Sequence, residues 1–254
     1  MATERLIGAP VALLSALHMF IAGSLLAVYN APRIVRKAFT SETQVVRIWH
    51  SRRFWYFAFF FAGCVMACGA SFYLSGREVL WCMALGVVTF SYSLPLLPFR
   101  ELKRIRDIGW LKIIALSAVW TIATAVLPMA HWGHTLRQYP IEVGARLAFI
   151  FALCVLFDIR DLREDKGSNI KTLPTLLGMR RSYQVVYAAF GMFVALSFAQ
   201  YERFMLLSRL EGAIITVALG LVVVQYLKKN PSERAYNGLA DGLMLVYALL
   251  VAFI

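Results

Sequence analysis

The feature that most constrains this chain is the recurrence of apolar stretches long enough to cross a bilayer. Eight of them stand at about 8–30, 54–74, 79–97, 111–130, 143–158, 183–200, 204–227 and 238–254. A hydrocarbon core about 30 Å thick takes roughly 20 residues of helix. Inside it every backbone N–H and C=O must find a partner within the protein, which a helix supplies along its own length. The expected fold is therefore all-α: a polytopic transmembrane helical bundle of about eight spans. Composition agrees, with 60% of 254 residues apolar and a mean hydropathy of +0.67. So little chain lies between the stretches that a single transmembrane domain over residues 1–254 is expected. The first stretch is too long for a cleavable signal peptide, and no small-residue cleavage site leads into a soluble domain.

A net charge of +12 would suggest nucleic acid for a soluble protein. In a membrane protein it reports orientation, because Lys and Arg accumulate in cytoplasmic loops. Twenty of the 26 Lys and Arg fall after the first, third, fifth and seventh stretches, among them Arg33, Arg36, Lys37, Arg100, Lys103, Arg104, Arg106, Lys112, Arg160, Lys171 and Lys228. The other side keeps Arg5, Arg77, Arg137, Arg146, Arg203 and Arg209. This division puts those loops in the cytoplasm, puts both termini outside, and makes the plasma (inner) membrane the expected location. It implies contact with anionic membrane lipid and no nucleic-acid partner. Cys64, Cys68, Cys82 and Cys154 all lie in apolar stretches without a CxxC or Cys/His cluster, so they read as small hydrophobes.

The residues able to do chemistry gather after the fifth stretch, in Phe157-Asp158-Ile159-Arg160-Asp161-Leu162-Arg163-Glu164-Asp165-Lys166. Asp158, Asp161 and Asp165, at i, i+3 and i+7, project within about 60° of one another on a helix. Carboxylates so close repel, and a cation belongs among them. Mg²⁺ suits them, since it takes oxygen ligands and bridges carboxylates to substrate phosphates. The competing reading is a solvated helix end, because Arg160, Arg163 and Lys166 alternate with the acids.

Downstream come Asn169-Ile170-Lys171-Thr172-Leu173-Pro174 and Leu176-Leu177-Gly178. The string from Asp158 to Gly178 resembles the second aspartate-rich motif of the UbiA superfamily of intramembrane prenyltransferases and the Lys-Thr-Leu-Pro sequence that follows it. Asn169 departs from a common Gly there. Tyr92-Ser93-Leu94-Pro95, Arg100 to Arg106 and Leu111-Lys112 resemble the family's basic loop. The resemblance implies a membrane prenyltransferase that moves an isoprenoid group from a prenyl diphosphate to a hydrophobic acceptor, with Mg²⁺ as cofactor. Asp158, Asp161 and Asp165 are then the catalytic and metal-binding residues. Asn30, Arg33, Lys103, Arg106, Lys112 and Lys171 are then the diphosphate-binding residues, cations being suited to phosphate oxygens.

Two departures stand out. The family's first metal motif has an Asn followed by Asp at four and eight residues, and its counterpart begins at Asn30. Here Ile34 and Ala38 hold those positions, with Arg33, Arg36 and Lys37 among them. Family members also typically have nine helices, whereas only one stretch precedes Asn30 here, so this chain is expected to lack the counterpart of the family's first helix. That loss alone turns the amino terminus outward, in agreement with the charge division. The alternatives are a terpene cyclase of the same superfamily, which closes the ionised chain on itself, and a non-catalytic protein that binds prenyl lipid. Among lesser candidates, Asp241 lies one turn inside the last stretch, His131 and His134 form an HxxH without a third ligand, and His18 is expected to be a hydrogen-bonded core histidine. Acceptor identity, prenyl chain length and oligomeric state leave no legible mark in the sequence.

Overall fold

A computed structural model describes residues 2–9, 15–35, 43–93, 105, 108–168, 170–204 and 207–253, and among them every regular element is helical. In chain order these are α1 (Ala2–Leu6), α2 (Ala16–Val35), α3 (Thr43–Ser71), α4 (Gly76–Ser93), α5 (Gly109–Thr121), a π-helical turn (Ile122–Val126), α6 (Leu127–His131), α7 (Pro140–Gly167), α8 (Leu173–Phe204), α9 (Leu207–Lys229) and α10 (Glu233–Phe253). Contacts divide the chain into two compact units, one of Ala12–Ser93 and one of Met1–Val11 with Leu94–Ile254.

Among the described residues, six helical stretches are long and apolar enough to cross a membrane: Phe54–Ser71, Gly109–His131, Pro140–Gly167, Leu173–Glu202, Leu210–Lys229 and Glu233–Ala252. The polytopic helical bundle stands, and the expected count of eight is corrected. The stretch read at 8–30 is not one span, because α1 stops at Leu6, Gly8 takes φ 72°, and α2 starts only at Ala16 with an apolar run to Ala31. The stretch at 79–97 is α4, whose Arg77, Glu78, Ser91 and Ser93 shorten its apolar length. The stretch at 143–158 is far longer than hydropathy indicated. Pro140 opens α7 with Glu142 in the first turn, both favourable at a helix start. The helix then runs unbroken through all three aspartates.

The smaller unit is built on close backbone approach. Gly23 and Ala27 on α2 face Gly63 and Ala67 on α3, two small-x-x-x-small pairs. A Cβ on Gly63 would stand 2.6 Å from the Gly23 carbonyl oxygen and 2.7 Å from the Ala27 nitrogen, so the two helices meet only because those positions lack side chains. Between apolar helices in lipid, such packing replaces a hydrophobic driving force. The large residues of this unit, Phe54, Phe61, Val65, Phe72 and Tyr73 among them, are exposed, as a lipid-facing surface requires.

The larger unit has a core of large side chains. Phe149 of α7, Phe193 of α8 and Tyr247 of α10 are fully buried, with ring centroids 5.0 to 5.6 Å apart. Edge-on and tilted contacts at this range add to area burial. A buried polar group caps one end of that core. Arg146 Nη2 donates to Glu142 Oε1 at 2.9 Å and to Thr3 Oγ1 at 3.2 Å, and its guanidinium lies over the Tyr247 ring. Arg146, read from sequence as an outer charge, is thus a buried member of an i, i+4 ion pair. Pro128 has no N–H to offer the Thr124 carbonyl four residues back, and the π-helical turn sits just there. Thr3 Oγ1 donates to that carbonyl at 2.6 Å, so α1 is fastened at a point where the α5–α6 run lacks a donor. Trp132 Nε1 donates to Glu4 Oε1, and Arg5 donates to the Ala252 carbonyl near the end of α10.

Candidate functional site

At the other end of α7, about 20 residues and some 30 Å along the helix from Glu142, lies the acidic face. Asp158 and Asp165 are buried and Asp161 is part-buried. Their partner comes from the first turn of α5. Lys112 Nζ stands 3.0 Å from Asp158 Oδ1, 3.4 Å from Asp161 Oδ2 and 3.6 Å from Asp165 Oδ2. Its side chain is only 12% exposed, against 2% for Asp158, so these charges meet largely away from solvent. Each is poorly placed on its own helix: Lys112 sits at the positive end of α5, and Asp165 in the last turn of α7 at the negative end. Antiparallel packing of the two helices lets each offset the other.

A second cation serves one acid alone. Arg160 grips Asp161 with two bonds, Nε to Oδ1 at 2.6 Å and Nη2 to Oδ2 at 3.0 Å, a fork that fits a carboxylate. Its remaining Nη1 donates to Asn237 on α10. Asp158 Oδ2 and Asp165 Oδ2 are buried and accept no hydrogen bond from a described residue, the latter having only the longer ionic contact with Lys112. Among the described residues, three carboxylates therefore face two cations. Among the described residues no three His, Cys, Asp or Glu side chains are gathered closely enough to hold an ion unaided.

The approach of α5 to α7 depends on a residue that sequence reading passed over. A Cβ on Gly109 would stand 1.8 Å from the Lys171 carbonyl oxygen and 2.7 Å from the Thr172 nitrogen. Only glycine lets the 170–172 segment lie across the start of α5. That segment is itself tied down: Ile170 N donates to the Asp165 carbonyl at 2.9 Å, and Thr175 Oγ1 donates to the Thr172 and Ile170 carbonyls. Gly178, closing the Lys-Thr-Leu-Pro stretch, adopts φ 78°, a left-handed conformation that favours glycine, and the long part of α8 starts from it. Gly109 announces itself in the sequence only as a glycine between a basic loop and an apolar helix.

Beside Arg160 and Asn237 lies an aromatic group. Tyr183 and Tyr236 hydroxyls meet at 3.2 Å, and Lys228 Nζ lies over the Tyr183 and Tyr187 rings while donating to the Tyr187 hydroxyl at 2.8 Å. These residues, like Arg160 and Asn237, carry no legible spacing in the sequence.

A family model described as the UbiA prenyltransferase family matches residues 45–240, most of the chain and parts of both units. The chain belongs to the UbiA prenyltransferase family. No curated protein and no solved structure matches it. As a UbiA family member with six apolar spanning helices, it is an integral membrane protein. The UbiA match takes in the acidic face, Lys112, Gly109 and the Lys-Thr-Leu-Pro stretch, and it begins 15 residues after Asn30.

Of the residues expected in a UbiA site, Asp158, Asp161, Asp165 and Lys112 are brought together. Lys171 is close by through its backbone, with its side chain exposed. Asn30 belongs to the smaller unit, where it is buried and its amide donates to the Leu26 carbonyl of its own helix at 2.7 Å. The side chains of Arg33, Lys103 and Arg106, and those of Arg36 and Lys37, lie outside the described residues. Among the lesser candidates, Asp241 is exposed. The rings of His131 and His134 lie edge-on to Trp132 and Tyr139 respectively. His18 Nδ1 is hydrogen-bonded to Ser15 Oγ at 2.8 Å.

Proposed function

We propose that this UbiA family member is a membrane enzyme that transfers an isoprenoid group from a prenyl diphosphate to a hydrophobic acceptor, with Mg²⁺ as cofactor. The observation that carries the reading is the convergence of Lys112 with Asp158, Asp161 and Asp165. The donor set fits Mg²⁺, because Asp158 and Asp165 each keep a buried oxygen with no hydrogen bond from a described residue. Mg²⁺ is commonly held by one or two carboxylates together with substrate phosphates, so two such oxygens suffice without an all-protein cage. Bound there, it would supply Lewis-acid neutralisation of the departing diphosphate.

The chain's own residues have separate tasks. Asp158 and Asp165 would supply ligand oxygens to such an ion from one face of α7. Asp161 is held in the Arg160 fork and contributes charge while Arg160 ties α7 to Asn237 on α10. Lys112 offers an ammonium as a point charge to phosphate oxygens, with Lys171, Lys103 and Arg106 as further cations for the diphosphate. The single membrane domain 1–254 rests on how little chain lies between the apolar stretches, and cytoplasmic loops around the site with both termini outside rest on the Lys/Arg division, which counts α2 and α4 as crossing the membrane.

A second reading has its own support. Ile34 and Ala38 stand where the first motif has aspartates, and the family match starts downstream of Asn30. This favours a non-catalytic protein that binds prenyl lipid. Incubating the purified protein in detergent with labelled prenyl diphosphates and Mg²⁺, with and without acceptors, separates the two. Pyrophosphate release that depends on Mg²⁺ is the expected result. Tight binding without release supports the lipid-binding reading, and neither binding nor release sinks both.

A further inference from the structure

We infer that Lys112 is a resident counter-ion of the acidic face, which a divalent metal must displace and a diphosphate then receives. This rests on the metal reading above and deepens it. Lys112 Nζ lies 3.0 to 3.6 Å from one oxygen of each of the three carboxylates, so it stands where their negative fields overlap. An ion held by Asp158 and Asp165 would draw on the same carboxylates and the same field. The dication and the ammonium repel at that range, and each binds the carboxylates more weakly while the other is present. Arg160 cannot make the same exchange, because its fork on Asp161 and its bond to Asn237 hold it to one side. Asp161 therefore stays neutralised while Asp158 and Asp165 change partner.

The device gives an order to events. Before a ligand arrives, Lys112 keeps three acids from facing one another without a cation. When metal enters, the ammonium is left at the first turn of α5 with no carboxylate as its nearest partner. A diphosphate supplies the anion it then lacks, so metal and diphosphate each strengthen the binding of the other, as linkage requires. No covalent step is involved, only an exchange of ionic partners.

The test is a Mn²⁺ titration read by electron paramagnetic resonance on the purified full chain in detergent, with no prenyl substrate. Lys112→Met is expected to bind Mn²⁺ about tenfold or more tighter than wild type, the scale of one charge-assisted contact. Lys112→Arg, which keeps the charge, is expected to stay near wild type. Inorganic pyrophosphate is expected to tighten Mn²⁺ binding in wild type more than in Lys112→Met. If wild type binds Mn²⁺ and Lys112→Met binds it equally or more weakly, the counter-ion inference is overturned and the metal reading stands. If no form binds Mn²⁺ with or without pyrophosphate, the metal reading fails and takes this inference with it. Should Lys112→Met not fold, wild type alone decides. Acetylation of Lys112 followed by mass spectrometry should speed up with Mn²⁺ and slow again when pyrophosphate is added. A labelling rate unmoved by saturating Mn²⁺ overturns the inference.

Discussion

One helix, α7, carries a charged cluster near each end, and the two differ in their balance. Near its start, Glu142 and Arg146 pair acid with base one turn apart, with Thr3 Oγ1 and the Tyr247 ring also against the guanidinium. Near its end, three aspartates share Lys112 and Arg160. The first cluster joins α1 to the bundle. Among the described residues, the second has more acid than base. Burying unmatched charge is costly, so a fold tolerates it only where something else completes the site. The balanced pair reads as a structural clamp, and the unbalanced one is where the proposed function would place its ligand.

The largest effect expected from breaking this comparison is at the unbalanced end. Asp158→Ala with Asp165→Ala should abolish Mg²⁺-dependent binding of a prenyl diphosphate, because on the proposed function the two would supply the ion's protein oxygens. Affinity that stays the same and still depends on Mg²⁺ would reduce the acidic face to a charged helix end. At the balanced end, Arg146→Met should destabilise the fold by about 3–5 kcal/mol, since Glu142 is left buried without its base. Adding Glu142→Gln should restore much of that loss, and neither variant should move Mn²⁺ affinity. Thermal unfolding in detergent reads the first two effects, and a shift in metal binding would mean that the two ends are coupled.

Gly109→Ala tests what aligns the acidic face with its cation. With a Cβ 1.8 Å from the Lys171 carbonyl oxygen, the 170–172 segment must lift off α5. Diphosphate binding should fall by about tenfold or more, the cost of losing one charge-assisted contact as Lys112 moves. Equal affinity in this variant would show that Lys112 reaches the carboxylates without that packing. The smallest effect belongs to Thr3→Val, which removes the donor to the Thr124 carbonyl and the acceptor for Arg146. A loss of about 1–2 kcal/mol is expected, again in stability alone.

How much of this was legible beforehand follows from range. The spanning helices could be read because hydropathy over roughly 20 residues is local and the bilayer demands it. The common face of Asp158, Asp161 and Asp165 follows from helical periodicity, once α7 is known to continue past the apolar stretch. Hydropathy ended that helix at 158 because it measures lipid compatibility, while hydrogen bonding carries the helix on to Gly167. The same limit made Arg146 look like an outer charge, although a partner one turn away keeps it inside.

The sequence by itself determined that this chain is a helical membrane protein, that it belongs with the UbiA prenyltransferases, and that its acids share one helical face. Periodicity and apolar length act within one segment, so they survive without knowledge of any other segment. Only the tertiary structure decided which cation those acids meet. Lys112 is separated from Asp158 by 46 residues and was one basic residue among many in the loop sequence. Its selection depends on Gly109 admitting Lys171 and on α5 lying antiparallel to α7. The same holds for Arg160 and Asn237, and for Thr3 and the Thr124 carbonyl. Partners chosen across the bundle are set by which backbones come close enough, and no local spacing encodes that.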